Sequence, residues 1–311
     1  MSASPDLAAS PVAARRLIYP YTLLLLANLA WASNWVVGRA LHDAFPPVAL
    51  SFWRWGVAAL VLAPFAIPRL KGRWHVVWRR RWLLLVLGAT GVATFQAIIY
   101  AGLDYTTAVN ATILNAGSPL VMVLMVWLIE RQPATRRQWL GMGVTFIGVL
   151  LIVARGDWHN LAQLKIDRGD LLIFGSIPLW CLYSVLVRRR PVELDAIGFM
   201  FVLMLIGLTV LSPAYFYESL FVRVPDWSWP VAGLILFIAV TSSILAYLFW
   251  NRGVELVGAN RAGFTTPFQP ALTAILAVLL LGEPFHLYDA LGFAIILAGW
   301  LLTTGLKRAT R

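Results

Sequence analysis

The sequence predicts an all-α integral membrane protein, with ten transmembrane helices arranged as two inverted five-helix repeats around a central cavity. Three observations point there: scarce charge, a succession of bilayer-length apolar runs, and self-similarity at a fixed offset. Of 311 residues, 60% are hydrophobic and 13% charged, and the mean hydropathy is +0.77. A soluble domain carries roughly 25% charged residues.

Crossing a bilayer takes about 17 to 25 apolar residues per helix. Charge-free runs of that length occupy residues 17–38, 82–103, 105–129, 138–154, 171–187, 196–217, 227–251, 262–282 and 290–306, and a tenth, 47–68, is interrupted only by Arg54. The expected division is a tail at 1–16, a first repeat at 17–154, an external linker at 155–170, a second repeat at 171–306 and a tail at 307–311. No room is left between the spans for a soluble domain. Arg15 and Arg16 ahead of the first run, and small residues near Ala30 and Ala32, have the look of a secretory signal. Its removal would leave nine spans and spoil the charge pattern, so the run is read as a span.

A net charge of +11 would point to nucleic acid in a soluble protein. The placement of the charges says otherwise. With a cytoplasmic N-terminus, the inside segments hold 19 Lys and Arg residues and the outside segments hold five: Arg39, Arg155, Lys165, Arg168 and Arg223. Positive-inside topology then puts both termini in the cytoplasm of a multi-pass inner-membrane protein, with the bilayer as partner and no nucleic acid.

Shifting the chain by 151 positions superposes residues 105–154 on 256–305. Pro119 meets Pro270, Gly141 meets Gly292 and Gly148 meets Gly299, while Asn115 falls on Thr266 and Ser118 on Gln269. Upstream the offset is 149, which aligns Trp31 with Trp180 and Asn34 with Tyr183. Each repeat has five spans, an odd number, so the second must insert upside down. Inverted repeats recur in secondary transporters, with the substrate site near the midplane between the halves.

The stretches "WASNWVVGR…FPPVALSFWRWGVAALVL", "YTTAVNATILNAGSPLVMVLMVWLI" and "GANRAGFTTPFQPALTAILAVLLLGEPFHLYDALGFAIILAGWLL" resemble the drug/metabolite transporter superfamily, in its ten-helix EamA branch. The resemblance runs over essentially the whole chain and is most specific in the last block, where Gly292 follows Glu283 by nine residues. The first half departs from the pattern, with Gln132 at the place aligned with Glu283. The resemblance implies a ten-helix basket around a cavity and the export or exchange of small metabolites. Amino acids are the leading class it implies, and the group holding the YddG-like exporters is one home it offers.

Isolated polar side chains in hydrocarbon need a partner or a cavity. On the first span Trp31 and Asn34 share a helical stripe with Asn28 and Trp35, which rank behind them. Gln96 and Tyr100 lie one turn apart on the third span, where Tyr100 also suits an interfacial belt. Thr112, Asn115 and Ser118 precede Pro119 on the fourth. Ser176, Trp180 and Tyr183 share a face of the sixth, Ser243 and Tyr247 one of the eighth, and Thr266 and Gln269 sit beside Pro267 and Pro270 in the ninth. Together these would make an aromatic cavity with a few hydrogen-bonding groups. Pro119, Pro267 and Pro270 are expected to kink their helices.

Arg54 is read either as structural, pairing with helix-end carbonyls and stacking on Trp53 or Trp55, or as a contact for a substrate carboxylate. The glycine pairs Gly141/Gly148 and Gly292/Gly299 suit close helix packing within the chain or between two copies, so monomer and homodimer both stand.

Asp104, Glu130, Glu255, Glu283 and Asp289 all fall at span ends or in loops. Proton-coupled antiporters commonly rely on a tunable buried carboxylate, so facilitated diffusion or exchange is favoured, with a buried Tyr or Glu283 leaving proton coupling open. The four histidines, His42, His75, His159 and His286, lie in loops or at span ends, and Cys181 stands alone in mid-span. Neither a metal site nor a cofactor follows from these, and no phosphate-binding glycine loop supports ATP-driven pumping. The competing readings are efflux of cationic drugs, which would favour an intramembrane carboxylate, and a membrane-embedded transferase, which would need a nucleophile, base and acid together.

Overall fold

The computed structural model describes residues 11–41, 44–105, 114–115, 117–154, 157, 159, 168–281 and 287–304. All regular structure among them is helical. The elements are α1 (Pro11–Leu41), α2 (Pro47–Leu70), the short α3 (Trp74–Arg79), α4 (Arg81–Leu87), a π-helical segment π1 (Gly88–Thr94) and α5 (Phe95–Leu103). Then follow α6 (Ser118–Glu130), α7 (Arg136–Val153), α8 (Arg168–Leu186) and α9 (Ala196–Phe221). The chain continues through α10 (Trp229–Ile238), π2 (Ala239–Leu245), α11 (Ala246–Val257), α12 (Ala259–Gly263), α13 (Phe268–Leu281) and α14 (Leu287–Thr304).

Five continuous helical stretches among the described residues are long and apolar enough to cross a membrane: Pro47–Leu70, Arg81–Gly102, Arg168–Arg189, Ala196–Phe221 and Trp229–Val257. Ser118–Glu130 and Ala290–Thr303 are apolar but shorter. α1 has 31 residues, and its asparagines and Arg15 and Arg16 dilute its hydropathy. The chain is thus a multi-pass membrane protein. Its exterior carries exposed Leu60, Phe65, Leu205 and Leu236, as lipid contact requires. Exposed Trp74 and Trp78 of α3 and Trp82 of α4 stand in an arginine-rich stretch, and Trp227 and Trp229 stand at the start of α10, positions suited to interfacial indoles.

Local chemistry explains where the helices begin and end. Pro47 opens α2 at a position whose N–H no helix uses. Asp195 caps α9 by accepting from the Gly198 N–H at 3.1 Å, and Ser228 caps α10 through the Val231 N–H. The prolines expected to kink their helices stand where helical runs break and resume. Pro119 falls in the first turn of α6, Pro267 sits in the turn ahead of α13, and Pro270 lies in the first turn of α13. A first turn lacks the intrahelical N–H bonds that a mid-helix proline would break.

Element boundaries recur along the chain. π1 at Gly88–Thr94 has its counterpart 151 residues on in π2 at Ala239–Leu245, and α7 at Arg136–Val153 has one, at the same offset, in α14 at Leu287–Thr304. α2 and α9 both begin after a turn, at Pro47 and Ala196, 149 residues apart.

Helices α7 and α14 make the most extensive pairing, and glycine makes it close. A Cβ on Gly141 would stand 2.7 Å from the Gly299 carbonyl, one on Gly148 2.8 Å from the Gly292 carbonyl, and one on Gly299 2.2 Å from Thr145 Oγ1. The glycine faces are therefore spent in packing inside the chain.

α2 and α9 pack side by side and are fixed at both ends. Glu218, buried in the last turns of α9, accepts from the first N–H groups of α2, Val48 at 3.1 Å and Ala49 at 2.7 Å. A carboxylate there complements the positive end of the helix. At the opposite end Arg69 of α2 pairs with Asp195 at 3.1 Å.

Candidate functional site

Five membrane helices converge on a small cavity of about 30 Å³, part of it open to the outside. α1 contributes Trp31, Asn34 and Trp35, and α5 contributes Phe95, Gln96 and Ile99. Asn115, ahead of α6, and Trp180 of α8 face the same space. Tyr247 of α11, Thr266 of the turn before α13 and Gln269 of α13 complete the wall. A larger crevice of about 190 Å³ lies at Pro119, Leu120, Trp139, Met142 and Phe264. Its lining is mainly apolar, and Leu120 and Trp139 belong to the exposed exterior, so it is a lipid-facing groove rather than a site.

The aromatic part of the wall is a mutually packed cluster. Trp31 and Trp180 meet edge to face at 5.0 Å between ring centroids, Trp31 and Tyr247 at 5.8 Å, and Phe95 stacks on Trp180 at 5.1 Å. Such pairs contribute about 0.5–1.5 kcal/mol each beyond their buried area. The cluster is also tied to the two π segments. A π turn displaces carbonyls from the α ladder, and a buried carbonyl needs a donor. The Trp31 indole N–H donates to the Ser242 carbonyl of π2 at 3.1 Å, and the Tyr247 hydroxyl donates to the Gly91 carbonyl of π1. Gly91 has to be glycine, because a Cβ there would stand 2.2 Å from the Tyr183 ring.

Two polar groups flank the aromatic wall. In the first, Arg54 is fully buried and places its guanidinium 4.8 Å above the Trp55 ring centroid. It donates through Nη1 to Asn34 Oδ1 at 3.3 Å and to the Tyr100 hydroxyl at 3.4 Å, and Tyr100 donates to the same Asn34 oxygen at 2.9 Å. The expected pairing with helix-end carbonyls is thus replaced by an amide and a phenol, and of the two tryptophans only Trp55 receives the cation. Insertion scales put an arginine at the centre of a membrane helix at about 2.5–3.5 kcal/mol unfavourable.

The second group is a chain of amides. Asn28 Nδ2 donates to the Leu24 carbonyl at 2.7 Å and to Thr265 Oγ1 at 3.0 Å. Gln269 Nε2 donates to Asn28 Oδ1 at 3.0 Å, and Asn115 Nδ2 donates to Gln269 Oε1 at 3.3 Å. Asn28 therefore stands behind the cavity and positions Gln269.

Of the residues singled out in the sequence, Trp31, Asn34, Gln96, Asn115, Trp180, Tyr247, Thr266 and Gln269 lie together on the wall. Tyr100, Ser118, Tyr183 and Ser243 do not line it. Tyr100 supports Asn34, and Tyr183 donates to Asn251 Oδ1 at 2.8 Å. The Ser118 carbonyl lies 3.7 Å from Cys181 Sγ, and Ser243 bonds the Ile238 carbonyl at 3.5 Å. Thr112 lies outside the described residues, as does Glu283. Phe95 and Ile99 carry no polar atom and gave no sequence signal beyond their place beside Gln96. Glu218 was missed because the apolar run ends at Tyr217, one residue short of it. No group of His, Cys, Asp or Glu among the described residues could hold a metal ion.

Long apolar helices packed around a small aromatic, hydrogen-bonding cavity define a multi-pass membrane protein. Comparison with known proteins gives the class. The model of the EamA-like transporter family matches residues 18–154 and again 167–305, and the chain belongs to that family. It is similar to the "Uncharacterized transporter YyaM" of Bacillus subtilis, 28% identical over 288 residues covering 93% of this chain and 94% of the relative. It is also similar to the "Uncharacterized inner membrane transporter YicL" of Salmonella typhimurium, 24% identical, covering 90% and 93%. A solved crystal structure superposes with a TM-score of 0.74 at 18% identity, over 93% of this chain and 97% of the other, which speaks to fold alone. The protein is a multi-pass membrane transporter.

Proposed function

We propose that this transporter exports or exchanges small metabolites, amino acids foremost and those with aromatic or apolar side chains above all, as the YddG-like resemblance implies. It works by alternating access, with two inverted five-helix halves rocking around the shared cavity in the inner membrane, both termini cytoplasmic. The observation that carries this reading is the cavity wall itself, to which both halves contribute an indole, Trp31 and Trp180, with amides at its margins. Indoles accept an apolar body, and amides read its polar head. The recurrence of π1 and π2 at one offset, each tied to the aromatic cluster, supports two equivalent moving halves. No carboxylate faces the cavity among the described residues, which favours facilitated diffusion or exchange over proton coupling and disfavours a cationic drug as cargo.

The test is a counterflow screen of the standard amino acids in proteoliposomes, with and without a pH gradient. Transient accumulation of labelled aromatic and large apolar amino acids, unaffected by the gradient, is expected. Movement of cationic dyes alone, or of no amino acid, would overturn the reading.

A further inference from the structure

The orientation of an amide in a hydrogen-bond network follows from partners that can act in only one sense. Arginine has donors and no acceptor. The atom of Asn34 that meets Arg54 Nη1 must therefore be the oxygen, and the Tyr100 hydroxyl donates to the same atom. The Asn34 NH₂ is left without a partner among the described residues, and Asn34 lines the cavity, so this side chain presents donors to whatever enters.

The opposite sense holds at the other margin. A backbone carbonyl only accepts, so Asn28 turns its NH₂ to Leu24 and its oxygen to Gln269. Gln269 then turns its own oxygen to Asn115, which must donate, and the Asn115 oxygen, without a partner among the described residues, is left for the cavity. Asn28 and Asn34 are six residues apart on α1, about 9 Å along its axis, with Trp31 between them. The cavity thus has a donor end and an acceptor end, separated by the indole wall.

Charge reinforces the donor end. Arg54 is 0% exposed, its Nε and Nη2 have no hydrogen-bond partner among the described residues, and the groups to which it donates are neutral. A guanidinium held that way in low dielectric polarises Asn34 and favours an anion beside it.

We infer that Asn34, oriented by Arg54 and Tyr100, is the element that reads a carboxylate on the cargo, and that an amino group is dispensable for binding. The inference deepens the proposed transport of amino acids and rests on the same cavity. Asn34 is the contact residue, and Arg54 is a positioning residue that acts through it.

The experiment uses matched ligands on the purified full-length protein: 3-phenylpropionate, L-phenylalanine and phenethylamine, with 4-methylpentanoate, L-leucine and isoamylamine as the aliphatic series. Protection against thermal unfolding, read by tryptophan fluorescence over a concentration series, gives apparent affinities. The acids and amino acids should bind about tenfold or more tightly than the matched amines. Asn34→Asp, whose carboxylate takes both donors and offers none, should lose that preference while keeping its own midpoint. If Asn34→Asp does not fold, Arg54→Leu is read in its place, with the same loss expected. Amines binding as tightly as acids, acids failing to bind, or an undiminished preference in the variant would each overturn the inference. Acid binding without amino acid counterflow would instead refute the transport reading and leave the acid-reading end standing.

Discussion

The two halves of the chain share a framework and differ at its most expensive position. In the first half Asn34 of α1 accepts from Tyr100 of α5; in the second, Tyr183 of α8 donates to Asn251 of α11. These positions correspond in the repeat, at 34 with 183 and 100 with 251, so one helix-to-helix bond is kept while its residue types are exchanged. Arg54, however, corresponds to Leu203, and both are 0% exposed. The bond shared by both halves is architecture. The charge held by one half is what packing alone does not require, and it stands beside the cavity.

If the shared framework is architecture, breaking it should unfold the protein rather than tune it. The largest effect belongs to the α7–α14 pairing. Gly299→Leu should cost at least about 1–3 kcal/mol and abolish a monodisperse fold by size-exclusion chromatography, whereas Gly143→Leu, on the same α7 but with nothing within 4 Å of a Cβ, should behave as wild type. Next comes the sealed half. Tyr183→Phe leaves Asn251 without its donor and should lower stability by about 0.6–1.7 kcal/mol, measured by denaturant titration in detergent, with substrate affinity unchanged. Smallest in stability is Arg54→Leu, which copies the residue of the other half. Replacing a buried charge by an apolar side chain is often neutral or stabilising, so its unfolding midpoint should match or exceed that of wild type.

Much of the fold was legible because bilayer crossing leaves a coarse signal. The run 47–68 became α2 at Pro47–Leu70, and 138–154 became α7 at Arg136–Val153. The π segments were not legible: "GATGVAT" and "AVTSSIL" contain small and β-branched residues that an α-helix also tolerates, and the aromatic donors that meet their carbonyls come from other helices, which only tertiary packing brings near. The cavity was read in part. Polar residues at helical spacing marked Asn34, Asn115 and Gln269, but spacing gives only a face and not the side-chain partner. Tyr100 and Tyr183 fall one layer behind the wall for that reason. The sense of the Asn28–Gln269–Asn115 chain is set by the Leu24 carbonyl, and only tertiary packing brings those amides together.

Counterflow of labelled L-phenylalanine by wild type and Arg54→Leu, reconstituted side by side at equal protein content, bears most directly on the division between framework and charge. With the label well below the apparent dissociation constant, wild type should accumulate it transiently, and Arg54→Leu, at least as stable, should lose about 90% or more of that uptake, the counterpart of a tenfold loss of affinity. Equal accumulation by the two proteins would contradict a role for the first half's charge in reading the cargo.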